Sequence, residues 1–181
     1  MVVVRDATEG DVNAIARVMK EFFTVHNVFS KSGDDVCSYL SSQMKERPLL
    51  VAEKDGEIKG AMFLVRKGGD GNHALWKYRH AVFSGHQVAC ALFTEAEKRI
   101  RAQSKTAKIE NTLAETERSV DEYALQGYVH EATLHDHYRL GESCLVYSKT
   151  LSDTGDKDAP IEEENHCACG DGSLNQDCCG K

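Results

Sequence analysis

The chain has 181 residues, of which 41% are hydrophobic, a composition that suits one folded domain with a sizeable core and excludes a globally disordered chain. Its longest apolar run, residues 88–93, is too short for a membrane-spanning helix of roughly 20 residues, and the N-terminus lacks the basic and apolar segments of a signal peptide. The net charge is −7, but residues 153–181 hold 8 acids and 2 lysines, so residues 1–152 are almost neutral and lack the basic stripe of nucleic-acid-binding proteins. We therefore expect a cytoplasmic protein with neither a membrane nor a nucleic acid as its partner.

The first third of the chain predicts one strand followed by two helices. Residues 2–5 are a short β-branched run, which is typical of a first strand. Thr8 and Asp11 have the spacing of a capping box, and apolar residues at intervals of three and four continue the predicted helix to about His26. A second, shorter helix is centred on Leu40 and ends before Pro48.

The middle of the chain predicts a hairpin and a further strand. Residues 49–53 and 58–66 have the composition of strands, and Asp55-Gly56 between them is a strong turn signal. The glycine-rich residues 68–72 predict a loop. Residues 74–83 then predict a strand that is rich in aromatic side chains.

The C-terminal half predicts two helices and three strands. A spacing of four between apolar residues predicts a helix over 87–103, and a strand over 106–113 follows it. A short helix over 117–125 then precedes strands over 128–140 and 143–151. The complete order, β-α-α-β-β-β-α-β-α-β-β, predicts a mixed sheet with helices on both faces.

This order of elements, together with the residues at its joints, resembles the GNAT superfamily of N-acetyltransferases from Val2 to about Leu151. The hairpin that ends at Gly60 is similar to the family's second and third strands, and the Gly127-Tyr128 step is similar to the one that follows its penultimate helix. The resemblance implies a GNAT-like α/β (α+β) fold over residues 1–152. In such a fold, a mixed, mostly antiparallel twisted sheet of about seven strands carries about four helices on its two faces.

In this family the turn between the fourth strand and the third helix carries Arg/Gln-x-x-Gly-x-Gly/Ala, whose backbone amides hold the pyrophosphate of coenzyme A at the helix N-terminus. The resemblance therefore implies acetyl-CoA as cosubstrate. The matching cofactor-binding residues are Ser84, Gly85, His86, Gln87, Val88 and Ala89. Ser84 stands where the family has Arg or Gln, and Gln87 replaces the central glycine. A side chain at position 87 could crowd the pyrophosphate or force a different backbone angle. The site could also persist, because the backbone amides remain and His86 could add positive charge.

The resemblance further implies transfer of an acetyl group from acetyl-CoA to a primary amine, by direct attack in a ternary complex. A backbone N–H on the strand over 76–83 would stabilise the carbonyl oxygen. Tyr123 matches the tyrosine on the family's penultimate helix that reprotonates the leaving thiolate. The same strand has no acid to serve as general base, so His80 is the catalytic candidate there, with Glu110 and Glu115 as alternatives.

Other assignments stay open. A catalytically inactive GNAT-fold protein that binds an acyl-CoA or a protein partner fits Ser84, Gln87 and the missing strand carboxylate, and Thr116 stands where the family has an asparagine. The acceptor amine is not legible from the sequence. The oligomeric state is equally open, with a homodimer as one alternative.

Three histidines lie close together in the predicted strand over 128–140. Two of them, His135 and His137, would share one face of that strand and could place two imidazoles on a metal ion. Because the sequence supplies no convincing third and fourth ligands, we interpret this stretch as a polar, partly exposed strand face.

Residues 153–165 predict an acidic linker, and residues 166–181 predict a Cys-rich tail. Four thiols in so short a span could bind Zn²⁺ or Cu(I), although their spacing is not the Cys-x2-Cys of zinc ribbons. These metal candidates are Cys167, Cys169, Cys178 and Cys179. A tail with redox-active thiols and an appendage without specific chemistry are the alternatives. The scattered cysteines of the body indicate small buried side chains in a reducing compartment; they are Cys37, Cys90 and Cys144.

Overall fold

A computed structural model of the protein describes residues 1–25, 33–70, 72–115, 117 and 119–152, and of residues 21–25 only the backbone. The predicted linker and Cys-rich tail lie outside the described residues, as do His26 and Thr116. None of the helices in the described part of the chain combines the length and the apolar composition that a membrane crossing requires.

In this part of the chain, seven β-strands form one sheet and four α-helices pack against its two faces. In chain order the elements are β1 (Val2–Asp6), α1 (Val12–Val25), α2 (Gly33–Glu46), β2 (Leu49–Lys54), β3 (Glu57–Gly69), β4 (His73–Phe83), α3 (His86–Arg101), β5 (Thr106–Ala114), α4 (Val120–Leu125), β6 (Val129–Leu134) and β7 (Cys144–Ser152). A short 3-10 helix, Glu9–Asp11, leads into α1.

The strand order across the sheet is β1-β2-β3-β4-β5-β7-β6. Among these strands, every neighbouring pair is antiparallel except β4 and β5, which are parallel and connected through α3. The arrangement confirms the expected mixed, mostly antiparallel sheet of seven strands with helices on both faces. It also places the parallel pair in the middle of the sheet.

Each face of the sheet has its own apolar core. The core beneath α3 and α4 includes Leu64 and Leu92, and the core beneath α1 and α2 includes Ile15, Leu40 and Phe63. Phe63 and Leu64 are consecutive on β3, and they enter opposite cores because successive side chains of a strand point to opposite faces. The continuous apolar character of the central strands follows from this burial on both faces.

The start of α1 is built as the sequence predicts. The backbone N–H and the hydroxyl of Thr8 both donate to Oδ2 of Asp11, each at 2.8 Å, and Arg5 Nη1 donates to the same oxygen at 2.7 Å. The hydrogen bond from Arg5 is the main reason that the pKa of Asp11 lies well below its usual value. A charged Asp11 therefore ties the end of β1 to the start of the first helix.

The hairpin between β2 and β3 also forms where the sequence predicts it. Asp55 has a φ of 54° and Gly56 a φ of 79°, so both central residues of the two-residue turn have the left-handed backbone that such hairpins favour. Farther along β3, Gly60 lies directly under α3. A Cβ atom at Gly60 would come within 2.7 Å of Val88 Cγ1 and 2.8 Å of Leu92 Cδ1.

β3 is longer than the sequence predicts and takes up part of the predicted loop at 68–72. It continues to Gly69, which pairs with the start of β4. Asp70 closes the turn between the two strands, because its Oδ1 accepts hydrogen bonds from the N–H groups of Asn72 at 2.7 Å and His73 at 3.0 Å. Glycine content alone does not end a strand whose neighbour supplies the hydrogen-bonding partners.

β6, in contrast, is shorter than the predicted strand over 128–140, because it ends at Leu134. Asp136 follows with a φ of 54°, and its Oδ1 accepts a hydrogen bond from the N–H of Gly141 at 2.5 Å. This hydrogen bond closes a loop over the residues that were expected to extend the strand. His135 and His137 therefore do not share a strand face, and the predicted polar strand there is wrong.

The body cysteines are only in part the buried side chains that the sequence indicates. Cys144 is buried, Cys37 is half-buried and Cys90 is exposed. The prediction is wrong for Cys90 because its position on α3 faces solvent, although the preceding Ala89 is fully buried.

Candidate active site

The strands β4 and β5 separate over the second half of their length. Their parallel pairing ends at Trp76 and Ile109. β4 nevertheless stays paired with β3 up to Phe83, and β5 stays paired with β7 up to Ala114. Because each strand is held by its outer neighbour, a gap opens between them in the middle of the sheet.

Asn111 lies where the two strands part. Its Oδ1 accepts a hydrogen bond from the backbone N–H of Tyr78 at 2.8 Å, in place of a backbone hydrogen bond between the strands. The residue is 2% exposed, and its Nδ2 has no hydrogen-bond partner within the described residues. Asn111 was not predicted as a site residue. The signal that could have identified it is a polar amide among the inward-facing residues of β5, because Ile109 and Leu113, two positions before and after it, are apolar.

A β-bulge at His80 interrupts β4 beside the gap. Between the pairs Arg79–Phe63 and Val82–Ala61, two residues of β4 face one residue of β3. His80 has a φ of 53°, in the left-handed region that non-glycine residues seldom occupy. Backbone strain of this kind concentrates at functional sites, so the bulge marks this part of β4 as a candidate.

The side chain of His80 is buried against α2. Its Nε2 lies 2.9 Å from the hydroxyl oxygen of Tyr39, and its ring centroid is 5.8 Å from that of Tyr39 and 6.2 Å from that of Phe63. Burial raises the pKa of Tyr39, so this phenol is neutral at physiological pH. The arrangement holds the imidazole in one orientation beside the bulge.

The two alternative bases lie in more open surroundings. Glu110 forms an ion pair with Lys67, with 3.6 Å between Oε1 and Nζ, and both side chains are more than two-fifths exposed. Glu115 is an exposed residue just after the end of β5. Neither has the buried, oriented environment of His80.

The turn into α3 contains the predicted cofactor-binding residues 84–89. Gly85 precedes the helix with a φ of 84°, and its carbonyl accepts a hydrogen bond from the N–H of Val88 at 3.1 Å. The N–H groups of His86 and Gln87 come before this bond, so the helix provides no acceptor for them. Two backbone donors at the positive end of the helix dipole are therefore directed toward any anion at this turn.

The side chains of His86 and Gln87 contact residues on two other elements, α4 and β2. Gln87 Oε1 accepts a hydrogen bond from Lys54 Nζ at 3.2 Å, and His86 Nδ1 lies 3.0 Å from Glu122 Oε2 on α4. Gln87 lies in the first turn of α3, so the left-handed backbone of this motif is supplied by Gly85 and not by position 87. The six predicted residues thus divide into four exposed ones, Ser84, Gly85, His86 and Gln87, and two buried in the core, Val88 and Ala89.

Tyr123 lies in an aromatic cluster between α3, α4 and the sheet. Its ring centroid is 5.0 Å from that of Phe93, 5.5 Å from that of Tyr128 and 6.4 Å from that of Tyr147. The residue is 1% exposed, and this burial raises the pKa of its phenol, which therefore keeps its proton at neutral pH. Tyr147 is paired with Asn111 in the sheet, so Tyr123 lies over the side of the gap formed by β5 and β7.

The structure places the two catalytic candidates on opposite faces of the sheet. Tyr123 belongs to the core beneath α3 and α4, whereas His80 packs against Phe63, which belongs to the core beneath α1 and α2. The gap between β4 and β5 lies between these two faces.

Within the described ranges, no group of three or more His, Cys, Asp and Glu side chains is arranged to hold a metal ion. His135 Nδ1 is 3.2 Å from the hydroxyl of Ser143, and the ring centroid of His130 is 5.4 Å from that of Tyr147. The candidates Cys167, Cys169, Cys178 and Cys179 lie outside the described residues.

None of the protein-family models matches the chain, and no curated protein is significantly similar to its sequence. Solved structures, in contrast, match its fold. A proposed acetyltransferase of the GNAT family from Desulfovibrio desulfuricans has a TM-score of 0.58 and 16% identity, over 82% of this chain and 98% of that one. A ribosomal-protein-alanine N-acetyltransferase from Brucella melitensis has a TM-score of 0.59 and 17% identity, over 82% of this chain and 99% of its own.

A third matching structure was solved with a ligand. It is a proposed acetyltransferase from Salmonella typhimurium, solved with its cofactor acetyl-CoA, with a TM-score of 0.60 and 14% identity over 84% of this chain and 95% of that one. At such low identities, these matches show the fold alone. The chain thus has the fold of the GNAT acetyltransferases over the residues that the structure describes.

Proposed function

We propose that this chain, with its GNAT acetyltransferase fold, is an N-acetyltransferase that moves an acetyl group from acetyl-CoA to a primary amine by direct attack in a ternary complex. The observation that carries the proposal is the gap between β4 and β5. At the same end of the sheet, the N-terminus of α3 presents the N–H groups of His86 and Gln87, for which the described residues supply no acceptor.

The residues of this turn fit the pyrophosphate of acetyl-CoA. Its negative charge would be stabilised by the N–H groups of His86 and Gln87 and by the dipole of α3. Gly85 lets the chain turn tightly into the helix, and Lys54, held by Gln87, adds a positive charge nearby. The acetyl-CoA in the Salmonella structure supports this assignment, since that protein shares the fold.

Tyr123 is the proposed proton donor to the leaving thiolate. Its raised pKa keeps the phenol protonated, which is the form that a general acid requires. Its ring lies over the β5 side of the gap, in the core that packs beneath α3, which supports this assignment.

His80 is the proposed acceptor of the proton that the amine loses. It lies on the opposite face from Tyr123, beside the bulge, and Tyr39 fixes its ring at 2.9 Å. An amine that approaches from the α1–α2 side would meet His80 while the acetyl group is held in the gap. The bulge also changes the direction of the backbone N–H groups of β4, one of which is the proposed donor to the thioester oxygen.

The test is a calorimetric titration of acetyl-CoA into the reduced full-length protein, followed by a thiol-release assay with a panel of primary amines. We expect a Kd in the micromolar range, which corresponds to about −8 kcal/mol, and turnover with at least one amine. Absence of binding at high protein concentration would overturn the proposal.

The second candidate function is that of an inactive relative that binds an acyl-CoA or a protein partner. The specific observations in its favour are the glutamine at position 87 and the 1% exposure of Tyr123. Binding of acetyl-CoA without turnover by any amine would favour it. A sharp rise in the affinity of the Gln87→Gly variant for acetyl-CoA would further show that the natural turn has lost part of its ability to bind coenzyme A. If the turn is a working cofactor site, we expect this affinity to change little.

For the part of the chain beyond residue 152 we propose an acidic linker, residues 153–165, and a Cys-rich tail, residues 166–181. Cys167, Cys169, Cys178 and Cys179 are the residues that would bind Zn²⁺ or Cu(I), since thiolates select such ions. Redox-active thiols are the alternative function of the same residues.

A further inference from the structure

Three buried polar atoms of the described residues have no hydrogen-bond partner: Trp76 Nε1, Ser104 Oγ and Asn111 Nδ2. Trp76 lies where β4 and β5 are still paired, and Ser104 lies in the turn after α3. Only Asn111 lies at the point where the two strands part. A buried donor without an acceptor is rare in folded proteins and calls for an explanation specific to its position.

The orientation of the Asn111 amide is determined by its neighbour on β4. The backbone N–H of Tyr78 is a donor only, so the atom 2.8 Å from it must be the acceptor, Oδ1. Rotating the amide by 180° would place two donors against each other. The NH₂ group is therefore the end of the side chain that is left without a partner.

The register of the strands explains why this amide is at the head of the gap. Trp76 pairs with Ile109, so the next positions in the same register are Tyr78 and Asn111. There the backbones no longer pair, and one side chain spans the space between them. Beyond this point β4 continues through the bulge at His80, with no β5 partner.

A structural role explains the Oδ1 atom of Asn111 but not its NH₂ group. The Oδ1 atom satisfies the N–H of Tyr78, which would otherwise be left unpaired at the head of the gap. The NH₂ group adds nothing to that role, and its burial without a partner destabilises the fold. The free-energy cost of burying the Asn111 NH₂ group is explained if a bound ligand supplies its acceptor.

We propose that the Asn111 NH₂ group donates a hydrogen bond to a carbonyl oxygen of the acyl-pantetheine arm of acetyl-CoA when the arm occupies the gap. This inference rests on the proposed function. An NH₂ group recognises a neutral oxygen acceptor, and the arm offers two kinds, the thioester carbonyl and the amide carbonyls of pantetheine. Asn111 is thus a binding residue at the inner end of the acyl-CoA site, on the strand opposite the bulge.

The test compares the Kd of acetyl-CoA for the wild-type protein and the Asn111→Leu variant by calorimetry. We expect the variant to bind about three- to tenfold more weakly, the usual contribution of one neutral hydrogen bond. Thr112→Val is the matched control, because Thr112 is the next residue of β5 and its side chain lies on the other face. The control should bind acetyl-CoA like the wild-type protein.

A parallel titration with free CoA, which lacks the thioester carbonyl, distinguishes the two oxygens. If the Asn111→Leu variant binds only acetyl-CoA more weakly than the wild-type protein does, the acceptor is the thioester carbonyl. If it binds acetyl-CoA and free CoA more weakly by the same factor, the acceptor is an amide carbonyl of pantetheine. An Asn111→Leu variant that binds acetyl-CoA within twofold of the wild type overturns the inference and leaves the proposed function intact. If the wild-type protein does not bind acetyl-CoA, both are overturned.

A second measurement needs no variant, should Asn111→Leu fail to fold. In the ¹⁵N-labelled wild-type protein, the side-chain NH₂ signals of Asn111 can be assigned from their proximity to the amide proton of Tyr78. We expect acetyl-CoA to shift these signals and to slow their exchange with water. Unchanged shifts and exchange at saturating acetyl-CoA would contradict the inference.

Discussion

At the scale of single residues, the proposed chemistry depends on two side chains that the fold buries. Tyr123 is held on three sides by Phe93, Tyr128 and Tyr147, and His80 is fixed by Tyr39. Burial serves each of the two proposed roles in a different way. It keeps the phenol protonated as a donor, and it fixes the imidazole in the single orientation that proton transfer requires.

Tyr123→Phe should lower kcat by about 100-fold or more, because the leaving thiolate loses its proton donor while the ring keeps its packing. The measurement is steady-state acetyl transfer with the best amine of the panel. The Kd of acetyl-CoA should stay unchanged, because the phenol is assigned no role in binding. A variant with wild-type kcat would remove Tyr123 from the catalytic residues.

His80→Gln should also lower kcat by about 100-fold, since glutamine can bond to Tyr39 but cannot take up a proton at neutral pH. Tyr39→Phe, which removes only the positioning hydrogen bond, should cost less than His80→Gln. Both variants are measured for kcat and for the Kd of acetyl-CoA, and the Kd should not change. Equal losses of kcat and acetyl-CoA affinity would instead indicate a structural role.

At the scale of elements, α1 and α3 begin in different ways and serve different purposes. The start of α1 is closed by side chains, since Thr8 and Arg5 both bond to Asp11. The start of α3 has no side-chain cap among the described residues, and the helix itself provides no acceptor for its first N–H groups. A capped end contributes stability, whereas an uncapped end offers a binding site.

Asp11→Asn should destabilise the protein by about 1 kcal/mol at pH 7, with the partly exposed Arg5 limiting the contribution of the ion pair. The folded-state pKa of Asp11 is lowered, so the carboxylate stabilises the fold above its unfolded-state pKa of about 3.9. That contribution is lost as the pH falls below this value, toward the lower folded-state pKa. Urea unfolding at pH 7 and at pH 3 should therefore show a smaller difference between wild type and variant at pH 3, while Asp121→Asn, an exposed acid at the start of α4, serves as control.

Gly60→Ala should destabilise the protein by about 1–3 kcal/mol, because the new methyl group would overlap with Val88 and Leu92 on α3. Gly68→Ala is the matched control on the same strand. A Cβ there meets nothing within 4 Å, so this variant should be neutral or slightly more stable. Equal unfolding midpoints in urea for the two variants would show that α3 can move away from β3 at little cost.

At the scale of the whole molecule, the gap lies where two halves of the sheet meet at β4 and β5, which pair only over their first residues. The half made of β1 to β4 carries α1 and α2, and the half made of β5 to β7 contributes Asn111 and contacts Tyr123. The halves are joined by the first residues of β4 and β5 and by α3, which contacts strands of both. Because the two halves are joined only over part of β4 and β5, the gap remains between them while both apolar cores stay buried.

A chain of residues 1–152 should fold and bind acetyl-CoA like the full-length protein. Leu151 is buried in the core and Arg101 Nη1 donates to the carbonyl of Ser152 at 3.1 Å, so the last strand is anchored to the core up to this residue. The measurements are the thermal unfolding midpoint, the Kd of acetyl-CoA and the metal content of both chains. A higher zinc content in the full-length chain would support the proposed metal site of the tail, and equal contents would contradict it.

Much of this fold is predictable from local patterns, because the interactions that carry it are short-range. The left-handed turn at Asp55-Gly56, the bonds between Thr8 and Asp11, and the spacing of apolar residues along α3 each involve residues a few positions apart. Tyr123 and the turn before α3 were identified as candidates by the resemblance to the GNAT superfamily, from their positions within its motifs. The extent of β3 and the early end of β6 were not, because they depend on pairing with strands elsewhere in the sheet.

The geometry of the candidate site follows only from the tertiary structure. The bond between Asn111 and Tyr78 joins residues 33 positions apart, and the bond between Tyr39 and His80 joins residues 41 positions apart. The bulge at His80 and the gap beside it are properties of strand register, which no single segment encodes. Residue types and spacing indicated which chemistry is available, whereas the pairing of distant strands decided where each group is held, how deeply it is buried and which donor is left without a partner.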